Sequence, residues 1–259
     1  MKIGVCAMPQ DWQTVAACEY DYAEMNFSRL ADGSEEEFQA AKHARASAGL
    51  DIPCFNGFFP GSMKLYELSR ADIRAYVERG FDRAAALGGE IAVLGSGGAR
   101  QVPTGMEREE TTRRFADILA LCGDVAARHG MKIAIEPLNY REDTLINTVA
   151  DVLAVCRRVD HPAIGILIDL YHFRENGEDI TTLPSLPDLS RHLLHVHLAR
   201  PDKDRGTPTS VDAEPMQPWV DALRRIGYRE RISLECIFRP DFKTAIREAY
   251  PALGGFRTL

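Results

Sequence analysis

Four residues able to ligate a metal recur at regular intervals in the C-terminal half of the chain: Glu136, Asp169, His197 and Glu235. Each ends a short apolar run, in KIAIE, IGILID, LLHVH and RISLE, and the intervals between them are 33, 28 and 38 residues. Three carboxylates brought together in a partly dry site repel one another or take up protons. A divalent cation resolves that conflict. Three oxygen donors and one imidazole suit Mn2+ foremost, with Mg2+ or Co2+ as alternatives, over a thiolate-loving metal. A lone Glu or His at a strand end is usually a capping or surface residue. Four in one register on consecutive strands are better explained as one metal site.

The elements that would position them alternate along the whole chain. Strands are predicted at 2–7, 20–26, 51–57, 90–96, 132–138, 164–170, 193–199 and 231–236, about 32 residues per unit, the size of a βα repeat. Strand side chains alternate between two faces. If Glu136 points inward, Ala134 does too, and the same parity turns Leu167 with Asp169, His195 with His197, and Ser233 with Glu235 inward. Ile133, Ile135, Ile166, Ile168, Leu194, Val196, Leu198, Ile232 and Leu234 would then pack outward against helices. Ser34 reads as an N-cap with Glu35, Glu36 and Glu37 in the first turn. Further helices are predicted over 69–87, 111–129 and 219–226, each stopped by glycine. Continuous βα alternation implies a parallel sheet covered by helices, and eight units favour closure. The expected fold is α/β, a single (β/α)8 TIM barrel over residues 1–259, with the four side chains converging at the C-terminal mouth.

The formal charge of −7 in 259 residues argues against a duplex-DNA partner, which would need a basic face. Cys6, Cys18, Cys54, Cys122, Cys156 and Cys236 form no C-x-x-C pair and read as buried, reduced thiols. No leader pattern and no membrane-length apolar run is evident, so a soluble, cytoplasmic protein is expected, with a homo-oligomer left open.

Weaker signals surround the main one. Gly95-Ser96-Gly97-Gly98 could cradle phosphate but lacks the P-loop lysine, so a plain loop is the simpler reading. Arg200, Lys203 and Arg205 form a basic loop suited to an anion or simply to solvent. Glu24 and Asn56, near the ends of the second and third strands, could line the pocket or serve structure. His43, His129, His161 and His192 show no partner pattern.

The segments IAIEPLNYREDTLINT, IDLYHF, HVHLARPDK and ISLE resemble the xylose-isomerase-like sugar phosphate isomerase/epimerase superfamily, and within it the ketose 3-epimerases of the tagatose/psicose type. The resemblance is specific over residues 132–236 and only pattern-level before that. It implies one divalent ion on Glu136, Asp169, His197 and Glu235, with His195 one layer deeper. It implies that Glu142 and His172 bind substrate hydroxyls, and that a basic residue six after the histidine ligand, here Lys203, completes the pocket. The family has arginine there, so Arg200 or Arg205 could take that part. The implied activity is proton transfer on a ketose or related α-hydroxy carbonyl through an ene-diolate, with Glu136 and Glu235 as acid/base pair. The partner would be a small sugar or sugar phosphate. Rival readings are an inosose-type dehydratase, an endonuclease-IV-like DNA repair enzyme and a non-catalytic sugar-binding barrel.

Overall fold

The structure, a computed structural model, describes residues 1–201 and 204–259. Eight parallel strands follow one another round a closed barrel: β1 (Lys2–Cys6), β2 (Tyr22–Asn26), β3 (Asp51–Asn56), β4 (Ile91–Leu94), β5 (Lys132–Ile135), β6 (Ile164–Asp169), β7 (Leu193–Leu198) and β8 (Arg231–Leu234). β1 pairs with β8, Val5 opposite Leu234, which closes the ring. All eight expected strands are present. β5 and β8 stop one residue short of Glu136 and Glu235, yet the strand pattern carries on through their backbones. The Glu136 N–H donates to Leu94 O and the Glu235 N–H to Leu198 O, both at 3.1 Å.

Parity divides the core into two layers. Inside the barrel Tyr22, Cys54, Ile91, Val93, Ala134 and Leu167 pack together. Ile133, Ile135, Ile166, Ile168, Val196, Leu198, Ile232 and Leu234 belong to the larger layer between strands and helices. Leu194 departs from the expectation, for it packs against the inner cluster rather than outward. The cause is a register shift: Ile166 pairs with Leu193 but Leu167 pairs with His195. β7 therefore carries one extra residue at Leu194, a bulge that leaves the parity of His195 and His197 intact.

The helices begin and end on local chemistry. Ser34 and Glu37 form a reciprocal capping box on the helix Glu35–Ala48, which stops at Gly49 with φ +62°. Ser69 caps Arg70–Ala86 through the Asp72 N–H. The long helix Arg108–Arg128 starts three residues before the expected Thr111, and Gln217–Ile226 ends at Gly227 as expected. Among the described residues no helix is long and apolar enough to cross a membrane. The cysteines are free, but Cys6 and Cys236 are only half-buried, contrary to six buried thiols, because both lie at the barrel mouth.

Candidate metal centre

Ligand atoms of Glu136, Asp169, His197 and Glu235 lie within 4.8 Å of one another at the mouth. Local hydrogen bonds fix each one. Asp169 caps the helix Leu170–Glu175, accepting the Tyr171 N–H on Oδ1 at 2.7 Å, which leaves Oδ2 for the site. The Glu235 Oε1 accepts Asn56 Nδ2 at 3.1 Å. Buried Glu136 has an Oε1 with no hydrogen-bond partner. Its Oε2 leans on Gly95, where a Cβ would stand 2.2 Å away, so that position admits no side chain without displacing the carboxylate. The glycine loop thus serves close approach: a Cβ on Gly97 would likewise meet Glu142 O at 2.3 Å.

The imidazole is oriented from behind. Buried Glu24 takes His197 Nε2 on Oε1 at 3.0 Å and His195 Nε2 on Oε2 at 2.9 Å. Ser233 Oγ also donates to Glu24 Oε2 at 2.5 Å, and Tyr22 OH meets Ser233 Oγ at 2.8 Å. With Nε2 engaged, His197 turns Nδ1 towards Glu235 Oε2 at 3.1 Å and Glu136 Oε1 at 3.8 Å. A carboxylate behind a ring is the arrangement that fixes the tautomer of a ligating histidine. Sequence reading left Glu24 between pocket and structure; the parity rule applied to β2 would have turned it inward with Tyr22.

His172 and Glu142 lie beside the cluster, both held by Asn139. His172 Nδ1 accepts the Asn139 N–H at 3.2 Å and is 2.9 Å from Asn139 Nδ2, which also donates to Glu142 Oε1 at 2.8 Å. An accepting Nδ1 places the ring proton on Nε2, which lies 3.7 Å from Asp169 Oδ2 and 4.0 Å from Glu142 Oε2. Lys203 lies outside the described residues. Among the described residues, the basic side chain that reaches the carboxylates is Arg205, whose Nη2 donates to Glu235 Oε2 at 2.5 Å and Asp169 Oδ2 at 3.2 Å. Arg200 points elsewhere, 4.0 Å from Asp212. Underneath, fully buried Arg100 pairs with Asp143 at 2.8 Å and donates to the carbonyls of Glu136 at 2.8 Å and Leu94 at 3.1 Å. Nothing in the sequence marked that pair.

The electrostatics are those of an anionic site. Burial opposes ionisation of Glu24, but the charges of His197 and His195 outweigh it and hold the carboxyl at about 2. Burial, reinforced by the charge of Glu235, pushes Glu136 up. Burial also opposes the charge on Glu235, yet His197 and then Arg205 bring it down. His197 is raised well above the ordinary imidazole range, since Glu24 and Glu235 outweigh its burial. Protons and guanidinium therefore offset the carboxylates. The partnerless Glu136 oxygen, the Asp169 Oδ2 that the helix cap leaves to the site, the inward Nδ1 and Glu235 form a donor set that fits a hard divalent ion. Ligation would displace the proton from Nδ1.

Fold and site together define a (β/α)8 barrel with a three-carboxylate, one-imidazole cluster at its C-terminal mouth. Over residues 12–253 the chain matches the xylose isomerase-like TIM barrel family, and it belongs to that family. A probable ketose 3-epimerase from Synechocystis sp. is 32% identical over 122 residues, 47% of this chain and 41% of that protein, so the chain spans less than half of that relative's length. The 3-dehydro-D-guloside 4-epimerase of Escherichia coli K12 is 30% identical over 198 residues, 74% of this chain and 72% of that protein. The D-psicose 3-epimerase of Clostridium cellulolyticum H10, solved with D-tagatose, shares the fold with a TM-score of 0.83 at 19% identity, over 100% of this chain and 99% of that one.

Proposed function

We propose that this chain is a divalent-metal-dependent sugar isomerase or epimerase acting on a ketose or related α-hydroxy carbonyl, with Mn2+ the foremost candidate metal. The observation that carries the reading is the set of four donors within 4.8 Å, one of them a buried oxygen without a partner. The two relatives named as epimerases support the reaction class. A divalent ion held by Glu136, Asp169, His197 and Glu235 supplies Lewis-acid polarisation of a substrate carbonyl, which acidifies the neighbouring C–H.

The chain's own groups then handle the proton. Glu136 and Glu235 come from strands three steps apart around the ring and approach a flat ene-diolate from different sides. One removes the proton and the other returns it, each contributing about 10²–10⁴-fold. Return to the same carbon from the opposite face inverts it; return to the neighbouring carbon isomerises the sugar. His172 donates Nε2–H to a substrate hydroxyl, Glu142 accepts from another, and Arg205 holds Glu235 in place while offering its remaining N–H groups.

Turnover of D-tagatose and D-fructose with Mn2+ in D2O tests the reading. Deuterium at the inverted carbon of the product is expected for an epimerase, and at the adjacent carbon for an isomerase. Direct transfer of a substrate deuteron between carbons, with no solvent label, would overturn the two-carboxylate scheme. Full activity after thorough chelation would remove the metal.

A further inference from the structure

Arg100 and Asp143 bury their charges completely beneath the carboxylate cluster. Among the described residues no other Arg or Lys pairs with a carboxylate while both side chains are fully buried. Such a pair contributes little net stability, because desolvation offsets the attraction between the charges. What it supplies is geometry, for a guanidinium holds its N–H donors in one rigid plane.

That plane is spent on the backbone of a proposed metal ligand. Arg100 Nε donates to Asp143 Oδ2 at 2.8 Å, and Nη2 is equally close to the same oxygen. Nη2 also donates to Glu136 O at 2.8 Å, and Nη1 to Leu94 O at 3.1 Å. Leu94 O is the carbonyl that accepts the Glu136 N–H. The peptide groups on both sides of the Glu136 Cα are therefore held, one by Arg100 itself and one through a carbonyl that Arg100 grips. Only the side-chain torsions are left to place the Glu136 carboxylate.

Asp143 carries the same grip into the loop after β5. Its Oδ1 accepts the N–H groups of Thr144 at 2.8 Å and Leu145 at 3.1 Å, and its Oδ2 accepts that of Ile146 at 3.0 Å. Asn139 O in turn accepts the N–H groups of Glu142 and Asp143. Gln101, the residue after Arg100, adds a bond from Nε2 to Glu142 O at 2.7 Å. The loop that carries Asn139 and Glu142 thus rests on the same guanidinium as the Glu136 backbone.

We propose that Arg100 is a positioning residue for the reaction, fixing the metal ligand Glu136 and the substrate-contacting loop of Asn139 and Glu142 as one body. The inference rests on the isomerase or epimerase reading for the roles of Glu136 and Glu142, whereas the clamp itself can be measured without turnover.

Two variants of the full chain test it. Arg100→Lys keeps the charge but replaces the planar fork by a single ammonium group. Arg100→Gln combined with Asp143→Asn removes both charges, so that neither is left buried without its partner. Each is expected to weaken Mn2+ binding by about tenfold in a calorimetric titration, the scale for a support behind a ligand. Each should also raise KM and lower kcat/KM by about 100-fold for the ketose turned over, as a displacement of about 1 Å would. Arg100→Lys should be the milder of the two. Ile73→Ala, in the buried face of the helix Arg70–Ala86, controls for loss of stability alone. It should lower the melting temperature and leave Mn2+ affinity and KM unchanged.

Unchanged Mn2+ affinity and kcat/KM in the two Arg100 variants overturn the proposal. An equal loss in Ile73→Ala overturns it too, because the effect would then be one of general stability. If the unaltered protein binds Mn2+ but turns over no ketose, the isomerase reading falls and the Mn2+ affinities of the variants still decide. If it binds no Mn2+, amide exchange decides. Faster exchange over residues 136–146 in the Arg100 variants would then support the clamp, and unchanged exchange would overturn it.

Discussion

Glu24 holds His197 by Nε2 at 3.0 Å, and this contact decides which ring nitrogen faces the cluster. The same carboxylate reaches His195 and Ser233, so one buried group ties β2 to β7 and β8 beneath the site. Partners that orient a ligating histidine typically contribute about 10–100-fold to metal affinity. Glu24→Ala should therefore weaken Mn2+ binding by about that factor in a calorimetric titration, with Glu24→Gln closer to the original. Unchanged affinity in Glu24→Ala would show that packing alone orients the ring.

Gly95 is where backbone and carboxylate meet most closely. A Cβ there would lie 2.2 Å from Glu136 Oε2, whereas one on Gly254 would meet nothing within 4 Å. Gly95→Ala is expected to displace Glu136 and lower metal affinity and turnover together by about tenfold or more, because a shift of about 1 Å is enough to cost that much. Gly254→Ala, at an ordinary helical φ, should leave both unchanged and add up to about 1 kcal/mol of stability by restricting the unfolded chain. Normal Mn2+ affinity in Gly95→Ala would mean that Glu136 can retreat without consequence.

Asn139 stands between the proposed substrate contacts and the proposed metal ligands. Its side chain braces Glu142 and His172, neither of which belongs to the four-donor cluster. Asn139→Ala, Glu142→Ala and His172→Ala should each raise KM or lower kcat for the ketose turned over while metal content stays near one ion per chain. In Asn139→Ala the backbone N–H still fixes the His172 tautomer, so its effect should be the mildest. Loss of metal in Glu142→Ala and His172→Ala would place both residues in the ion's own shell.

What was legible beforehand is what strand periodicity encodes. The order of eight strands and the inward parity of Glu136, Asp169, His197 and Glu235 are properties of single segments, readable one strand at a time. The Leu194 bulge is not, because an extra residue in β7 is defined only against its neighbour β6. Arg100 and Asp143 are 43 residues apart and have no periodic signature, so their buried pairing arises only when the loops after β4 and β5 meet. The resemblance puts the basic residue six positions after His197, at Lys203, with Arg200 or Arg205 as substitutes, and counting alone does not choose between them. Arg205 reaches the site from two positions further on, at φ +54°, a backbone turn that residue counting does not reveal.

Glu178 offers a test of stability that is independent of the metal. Its Oε2 accepts the Val149 N–H at 3.2 Å, while its buried Oε1 has no partner. Burial, with a smaller push from Asp151, raises its carboxyl to about 7 in spite of that hydrogen bond. An unfolded-chain glutamate titrates near 4.3, so between these values the folded protein holds a proton that the unfolded chain has lost. Folding then binds protons, and the contribution of Glu178 becomes less favourable as pH rises from about 4.3 to 7. Above that both states are ionised and the full penalty remains; below it both are protonated and there is none. Discounted for the exposed part of the side chain, the penalty at pH 8 is about 1–2 kcal/mol. Glu178→Gln keeps an acceptor for Val149 and removes the charge. Its melting temperature should therefore exceed that of the unaltered protein at pH 8 by about 2–8 °C, with the gap closing towards pH 5. A gap that stays constant across this range would mean that Glu178 ionises normally and that its unpartnered oxygen is reached by water.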